Sequence, residues 1–226
     1  MGRLVFFVLI GLGGAAILVS LGVWQMQRLA WKEGVLANIE TRIAAEPVSL
    51  PANPDPEADA YLPVEVTGTL GASYLQVLVS KKNAGAGYRI IRPMFLDNGD
   101  VLIDLGFVAT ADAGGLKFEE GPPLTIVGNL QWPQEVDKFT PEPDFENNIW
   151  FARDVEAMAE ALNTRPILVV RREAPQLGGP LSPMPVDTAA IPNDHLQYAI
   201  TWFSLALIWV VMTFFFLRRA PGTNKS

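Results

Sequence analysis

Two runs of 20 residues without a formal charge, 4–23 and 198–217, stand near the two ends of this 226-residue chain and enclose all 24 of its acidic residues. At about 1.5 Å per helical residue, each run spans the roughly 30 Å hydrocarbon core of a bilayer. Half of the residues are hydrophobic and the mean hydropathy is +0.23, which places the chain among membrane proteins rather than ordinary cytosolic domains. The fold class expected is therefore a membrane protein of the α+β kind, with two transmembrane helices flanking one polar domain.

Charge placement orients this hairpin. The segment 24–197 holds all 24 acidic residues and 13 of the 17 basic ones, while Arg3, Arg218, Arg219 and Lys225 occupy the ends. Positive charge stays on the cytoplasmic side, so residues 1–3 and 218–226 are expected in the cytoplasm and 24–197 outside it, in the periplasm. The first run is longer than the apolar region of a signal peptide, about 7 to 15 residues, and no small-x-small cleavage site precedes Trp24, so we expect an uncleaved anchor. An Arg-rich, acid-poor presequence is not seen, which favours a bacterial inner membrane. With no cysteine, the outer domain carries no disulfide and no thiolate chemistry.

Within the outer domain, residues 24–45 continue the first helix, with Trp24 and Trp31 on one face and Arg28 and Lys32 as a basic pair. Gly11 with Ala15, and Ala16 with Ser20, form small-xxx-small pairs that would admit a second helix. Residues 47–56 are proline-rich and are expected to be a loop. Strand character then recurs at 61–69, 74–80, 88–95, 101–108, 124–132 and 167–172, with Asn98-Gly99 as a hairpin turn. This predicts a mainly antiparallel β-rich core over 61–172, a sandwich or partly open barrel, with one amphipathic helix at 154–162. Residues 133–149 are expected to form a surface loop, and 173–192, with five prolines, a linker back to the membrane.

Counting removes most enzyme chemistry. One histidine and no cysteine exclude a His/Cys zinc site, and no G-x-S-x-G elbow is present. Gly85-Ala86-Gly87 lacks the third glycine of a dinucleotide loop and is expected to be a turn. Asp97, Asp100 and Asp104 are expected to be hydrated, Asn224-Lys225-Ser226 falls on the cytoplasmic side, and no basic patch suggests nucleic acid.

What survives is His195. Pro192 discourages an earlier helix and Asn193 is expected as the N-cap, so His195 opens the second transmembrane helix. His195, Tyr198, Trp202, Leu205 and Trp209 follow at steps of three and four and share a stripe that could line a flat apolar ligand. Amide dipoles at a helix N-terminus favour neutral imidazole, the form that binds a metal, although Asp194 opposes this. Ligation of a haem iron by the single imidazole is one reading, and hydrogen bonding to water or headgroups is the other. Arg28 and Lys32 likewise read either as interfacial anchors or as partners for porphyrin propionates.

The motif Leu21-Gly22-Val23-Trp24-Gln25-Met26-Gln27-Arg28-Leu29-Ala30-Trp31-Lys32, the set Asn193, His195, Leu196, Tyr198, Ala199, Thr201 and Trp202, the run Tyr61-Leu62-Pro63-Val64-Glu65-Val66-Thr67-Gly68 and the segment Asn148-Ile149-Trp150-Phe151-Ala152-Arg153-Asp154 together resemble the surfeit locus protein one family. One strand departs from the family pattern V-N-R-G-W-V-P: here Ile103-Asp104-Leu105-Gly106-Phe107-Val108-Ala109 lacks the arginine and the tryptophan. The resemblance implies an assembly factor for cytochrome c oxidase, not an enzyme, that binds haem a and assists its insertion into the large catalytic subunit. It implies His195 as iron ligand. On that reading Tyr198, Trp202 and Trp24 lie beside the macrocycle and Arg28 or Lys32 pairs with a propionate. Further partners implied are the membrane, a haem a synthase and a second copy of the chain. The alternative function is a cofactor-free membrane scaffold for oxidase assembly intermediates, and a third is a two-helix receptor for periplasmic ligands.

Overall fold

The computed structural model describes residues 2–172, 180–189 and 191–219, the side chains of 2–4 and 219 excepted. Parts of the expected linker and of the C-terminal tail, 173–179, 190 and 220–226, lie outside the described residues. Contacts divide the chain into two units, Met1–Asn38 with Thr188–Ser226, and Ile39–Asp187.

The first unit consists of two apolar helices. Helix α1, Gly2–Ile43, begins in the first uncharged run, and helix α4, His195–Arg219, contains the second. Both are long and apolar enough to cross a membrane, with most apolar windows of mean hydropathy 2.4 and 2.2. They pack antiparallel through a seam of small residues. A Cβ at Gly11 would collide with Thr213, one at Gly14 would lie 2.5 Å from the Trp209 ring, and one at Gly22 would lie 2.6 Å from Phe203. Trp209 also donates its indole N–H to the Gly11 carbonyl at 3.0 Å. The seam therefore runs through Gly11, Gly14 and Gly22, and not through the Ala16/Ser20 pair, which is exposed. Lipid gives no hydrophobic drive between helices, so close backbone approach and large facing rings supply the attraction.

Among the described residues the second unit has eight strands: β1 Val48–Ser49, β2 Pro63–Leu70, β3 Leu75–Lys81, β4 Gly85–Phe95, β5 Val101–Ala109, β6 Leu124–Gln131, β7 Ile149–Trp150 and β8 Leu168–Arg171. Strand order is β1-β2-β6-β8-β5-β4-β3-β7, and a second pairing of β2 with β4 closes β2, β6, β8, β5 and β4 into a small barrel. The closing pairs are Thr69↔Phe95 and Leu70↔Met94. Most ladders are antiparallel, while β5–β8, β1–β2 and β3–β7 are parallel. Of the two expected forms, a sandwich or a partly open barrel, the structure takes the barrel, closed and with its edge extended by β3 and β7.

Period-two alternation fills the interior. Val64, Val66 and Leu70 from β2, Val101, Ile103 and Leu105 from β5, Ile126 and Leu130 from β6 and Val169 from β8 form one buried cluster. On the outer face of β5 and β8, Leu102, Leu168 and Val170 meet helix α3, Val155–Leu162, through Val155, Met158 and Ala159. Asp154 caps α3 by accepting from Ala157 N at 3.1 Å, and Trp150 belongs to the same cluster. The tryptophan and aspartate of the W-x-x-x-D segment thus hold the fold together.

Five local expectations are corrected. β5 is covered on both faces, so Asp104 is fully buried rather than hydrated, and pairs with Arg89 at 2.5 Å and with Arg153 at 3.9 Å. Gly85-Ala86-Gly87 opens β4 and is not a turn, since the turn lies at 82–84; Gly87 lets β4 run against the Val108 carbonyl, which a Cβ would strike. The proline-rich loop at 47–56 contains β1, and the surface loop ends in β7. The linker does not hang free where it is described: Ser182 exchanges backbone hydrogen bonds with Phe107 at 2.7 and 2.9 Å, Gly106 at φ +104° makes room for it, and Val186 is buried. A short helix α2, Thr110–Ala113, had no sequence signal of its own.

The last turn of α1 is held by polar side chains of this unit. Asn129 Nδ2 donates to the Ile43 and Tyr61 carbonyls at 3.1 and 3.0 Å. Arg172 donates to the carbonyls of Ile43 and Ala45, and Arg42 to that of Ala58. The bonds to Ile43 satisfy a carbonyl that the helix end otherwise leaves orphaned.

Candidate functional site

The site begins with the entry of α4. Tyr198 N donates to Asp194 O at 3.1 Å, so Asp194 and not Asn193 is the capping residue. Asn193 sits one residue too early to cap, and its Oδ1 is buried without a hydrogen-bond partner. His195 is then the first helical residue, half-buried in the hairpin.

Its ring meets a group that the sequence reading did not single out. His195 Nδ1 lies 2.7 Å from Gln25 Oε1, and Gln25 is itself buried at 8 % exposure. With the amide oxygen facing the ring, Nδ1 is the donor, and in the neutral ring the lone pair then sits on Nε2. Histidines that bind metals are held in this way, by a second acceptor on the far nitrogen. The signal was present in the spacing. Gln25 follows Gly11, Gly14, Leu18 and Gly22 at helical steps on the seam, and an antiparallel hairpin sets the end of the first apolar run against the start of the second.

The remaining predicted residues fall into two groups. Trp24 and Trp31 bracket Arg28, whose guanidinium carbon lies 5.9 and 5.1 Å from the two ring centroids. Arg28 thus stands exposed on an aromatic pair, and Lys32 is half-buried on the same helix. The aromatic stripe of α4 divides: Trp209 is used in packing against α1, Trp202 is half-buried, and Tyr198 and Leu205 face outward. Ala199 and Ala206 are the residues of α4 most deeply buried in the hairpin. His195 and Gln25 are brought together, and Trp24, Arg28 and Trp31 are brought together. Among the described residues no group of three or more His, Cys, Asp or Glu is placed to hold a bare metal ion.

The second unit contains its own buried ionic group. Asp104 lies between Arg89 and Arg153, and Arg153 forks onto Glu135 with Nε at 3.1 Å and Nη2 at 2.5 Å. Burial works to raise the Glu135 carboxyl, but the hydrogen bonds and charge of Arg153, with Arg89 beyond, outweigh it and hold Glu135 below the usual carboxylate range. Arg89 also donates to the Met184 carbonyl at 3.1 Å, tying the segment after β8 to the barrel. This group is structural.

Fold and site define an α+β membrane protein with two terminal membrane helices, a small closed β-barrel domain, and a single histidine oriented by an amide from the facing helix. The chain belongs to the SURF1 family, which matches residues 12–207. It is similar to a SURF1-like protein of Monosiga brevicollis, 32% identical over 92% of this chain and 85% of the relative. Surfeit locus protein 1 of Homo sapiens is 30% identical over 90% of this chain and 75% of its own length. A SURF1-like protein of Rickettsia felis is 26% identical over 87% and 90%.

Proposed function

We propose that this protein is an assembly factor for an aa3-type cytochrome c oxidase that holds haem a at the His195 end of its helix hairpin and passes it to the large catalytic subunit. The observation that carries the reading is the 2.7 Å contact between His195 Nδ1 and Gln25 Oε1. It leaves Nε2 as the free donor atom and gives the imidazole an orientation that it would lack on a single exposed helix. A porphyrin supplies four nitrogens of its own, so one imidazole suffices to hold the cargo iron. Tyr198 and Trp202 would then lie beside the macrocycle. Arg28, backed by Trp24 and Trp31, or Lys32 would neutralise a propionate.

A single axial bond suits delivery, because a ligand on each face would slow release. No covalent reaction is needed, and the reading is that of a carrier, not an enzyme. The positive-inside bias supports a reading with both termini in the cytoplasm and the barrel in the periplasm of a bacterial inner membrane. A haem a synthase is the natural donor and the large oxidase subunit the acceptor.

The test is copurification. Full-length protein isolated from cells that make haem a should carry its absorption bands, and His195→Ala should lose most of them. Undiminished haem in His195→Ala would refute the ligand assignment. Haem-free wild type that still retains oxidase subunits would support the cofactor-free scaffold instead.

A further inference from the structure

The acidic loop between β6 and α3 forms a groove of about 480 Å³ on the second unit. Its floor is Trp150 and Ala157, and Val136, Phe145 and Phe151 wall it. Glu142 and Glu160 stand at its rim. Phe145 is 72% exposed and packs edge-on against Trp150 at 5.9 Å, while Phe139 on the same loop is 78% exposed. Exposed apolar side chains gathered in one patch with a polar rim mark interaction surfaces.

The loop is built to hold these rings out. Asp137 Oδ1 accepts from Phe139 N at 2.8 Å, and Thr140 Oγ1 accepts from Asp137 N at 2.9 Å. Asp144 and Ile149 exchange backbone bonds at 2.8 and 2.9 Å, and Asn147 Nδ2 donates to Asp144 Oδ2 at 2.7 Å. Glu135 is fixed on Arg153 at the base. Little ordering cost is left for a partner to meet.

Charge selects the occupant. Residues 133–161 carry eight carboxylates and only two cations, Lys138 and Arg153, and Arg153 is committed to Glu135 and Asp104. Anionic lipid headgroups are repelled by such a rim. A second copy of this chain is a poor match as well, because the segment 24–197 is itself strongly acidic. We infer that the groove docks a cationic amphipathic segment of another protein, one that sets an aliphatic or aromatic side chain between Phe145 and Phe151 and its lysines or arginines against Glu142 and Glu160. This inference does not depend on haem binding.

The test uses full-length protein in nanodiscs of zwitterionic lipid and a fluorescent peptide with leucines at helical spacing and lysines elsewhere. Binding followed by anisotropy should weaken with added salt. It should fall at least tenfold in Phe145→Ser/Phe151→Ser and in Glu142→Lys/Glu160→Lys, but not in Glu57→Lys outside the groove. A peptide with glutamates in place of the lysines should not bind. Because the serine variant removes packing against Trp150, the charge-reversal variant, which touches only exposed side chains, decides the matter if the former misfolds. Unchanged affinity in the charge-reversal variant overturns the inference. So does co-sedimentation with phosphatidylglycerol vesicles, or self-association, that the serine substitutions abolish.

Discussion

Gln25 gives His195 one ring orientation, and that dependence can be measured. Gln25→Leu keeps the volume near the seam but removes the acceptor for Nδ1. Loss of an outer hydrogen bond of this kind typically costs 10- to 100-fold in metal affinity, so haem titrated into the purified variant should bind at least tenfold more weakly, as followed by absorbance. Asp104 is the other residue whose removal should be felt. It is fully buried beside Arg89 and Arg153, so Asp104→Ala leaves the Arg89 guanidinium without its counter-charge, while Arg153 keeps Glu135. Thermal or urea melts should show a loss on the order of 3 kcal/mol, the usual cost of breaking a buried pair. Glu135 supplies a pH test. Its depressed carboxyl contributes stability at neutral pH that is lost as pH falls through the folded-state value. The stability gap between wild type and Glu135→Gln should therefore be present at pH 7 and shrink below pH ~4, where the unfolded carboxylate itself protonates. Neither Gln25 nor Asp104 stood out in the sequence: an amide among motif residues reads as interfacial, and an aspartate in an alternating strand reads as outward-facing. Both owe their roles to a neighbour brought in from elsewhere in the chain.

At the scale of elements, the helix pair depends on glycines. A Cβ at Gly22 would stand 2.6 Å from Phe203, and one at Gly14 would meet Trp209 at 2.5 Å, so Gly22→Val or Gly14→Val must push the helices apart. Either change should abolish crosslinking between cysteines introduced at Gln25 and His195, whose side chains meet at 2.7 Å, while Gly13→Val, where a Cβ meets nothing, should leave it intact. The long strands were legible because apolar residues alternate through β2 and run almost unbroken through β5. β1 and β7, of two residues each, are too short to carry a period, and they exist only because β2 and β3 offer edges to pair with. Barrel closure rests on two residue pairs between β2 and β4, a long-range event that leaves no local trace. Gly87 is a related case: it serves close strand approach, whereas glycine in sequence signals turns first.

For the whole molecule, the two uncharged runs and the confinement of acid between them were sufficient to indicate a membrane hairpin with a polar domain. Family membership covers residues 12–207 and so includes both Gln25 and His195. The second unit contributes a closed barrel, a buried ionic group and an acidic, aromatic groove. The first contributes His195 with Gln25, and the ring-stacked Arg28. The central claim is that the His195 imidazole itself holds the haem iron. Its most direct test is chemical rescue: full-length His195→Gly, mixed with haem a in detergent, should lack the absorption and resonance Raman signature of wild type and regain it when free imidazole is added. A wild-type signature in His195→Gly without imidazole would contradict the account.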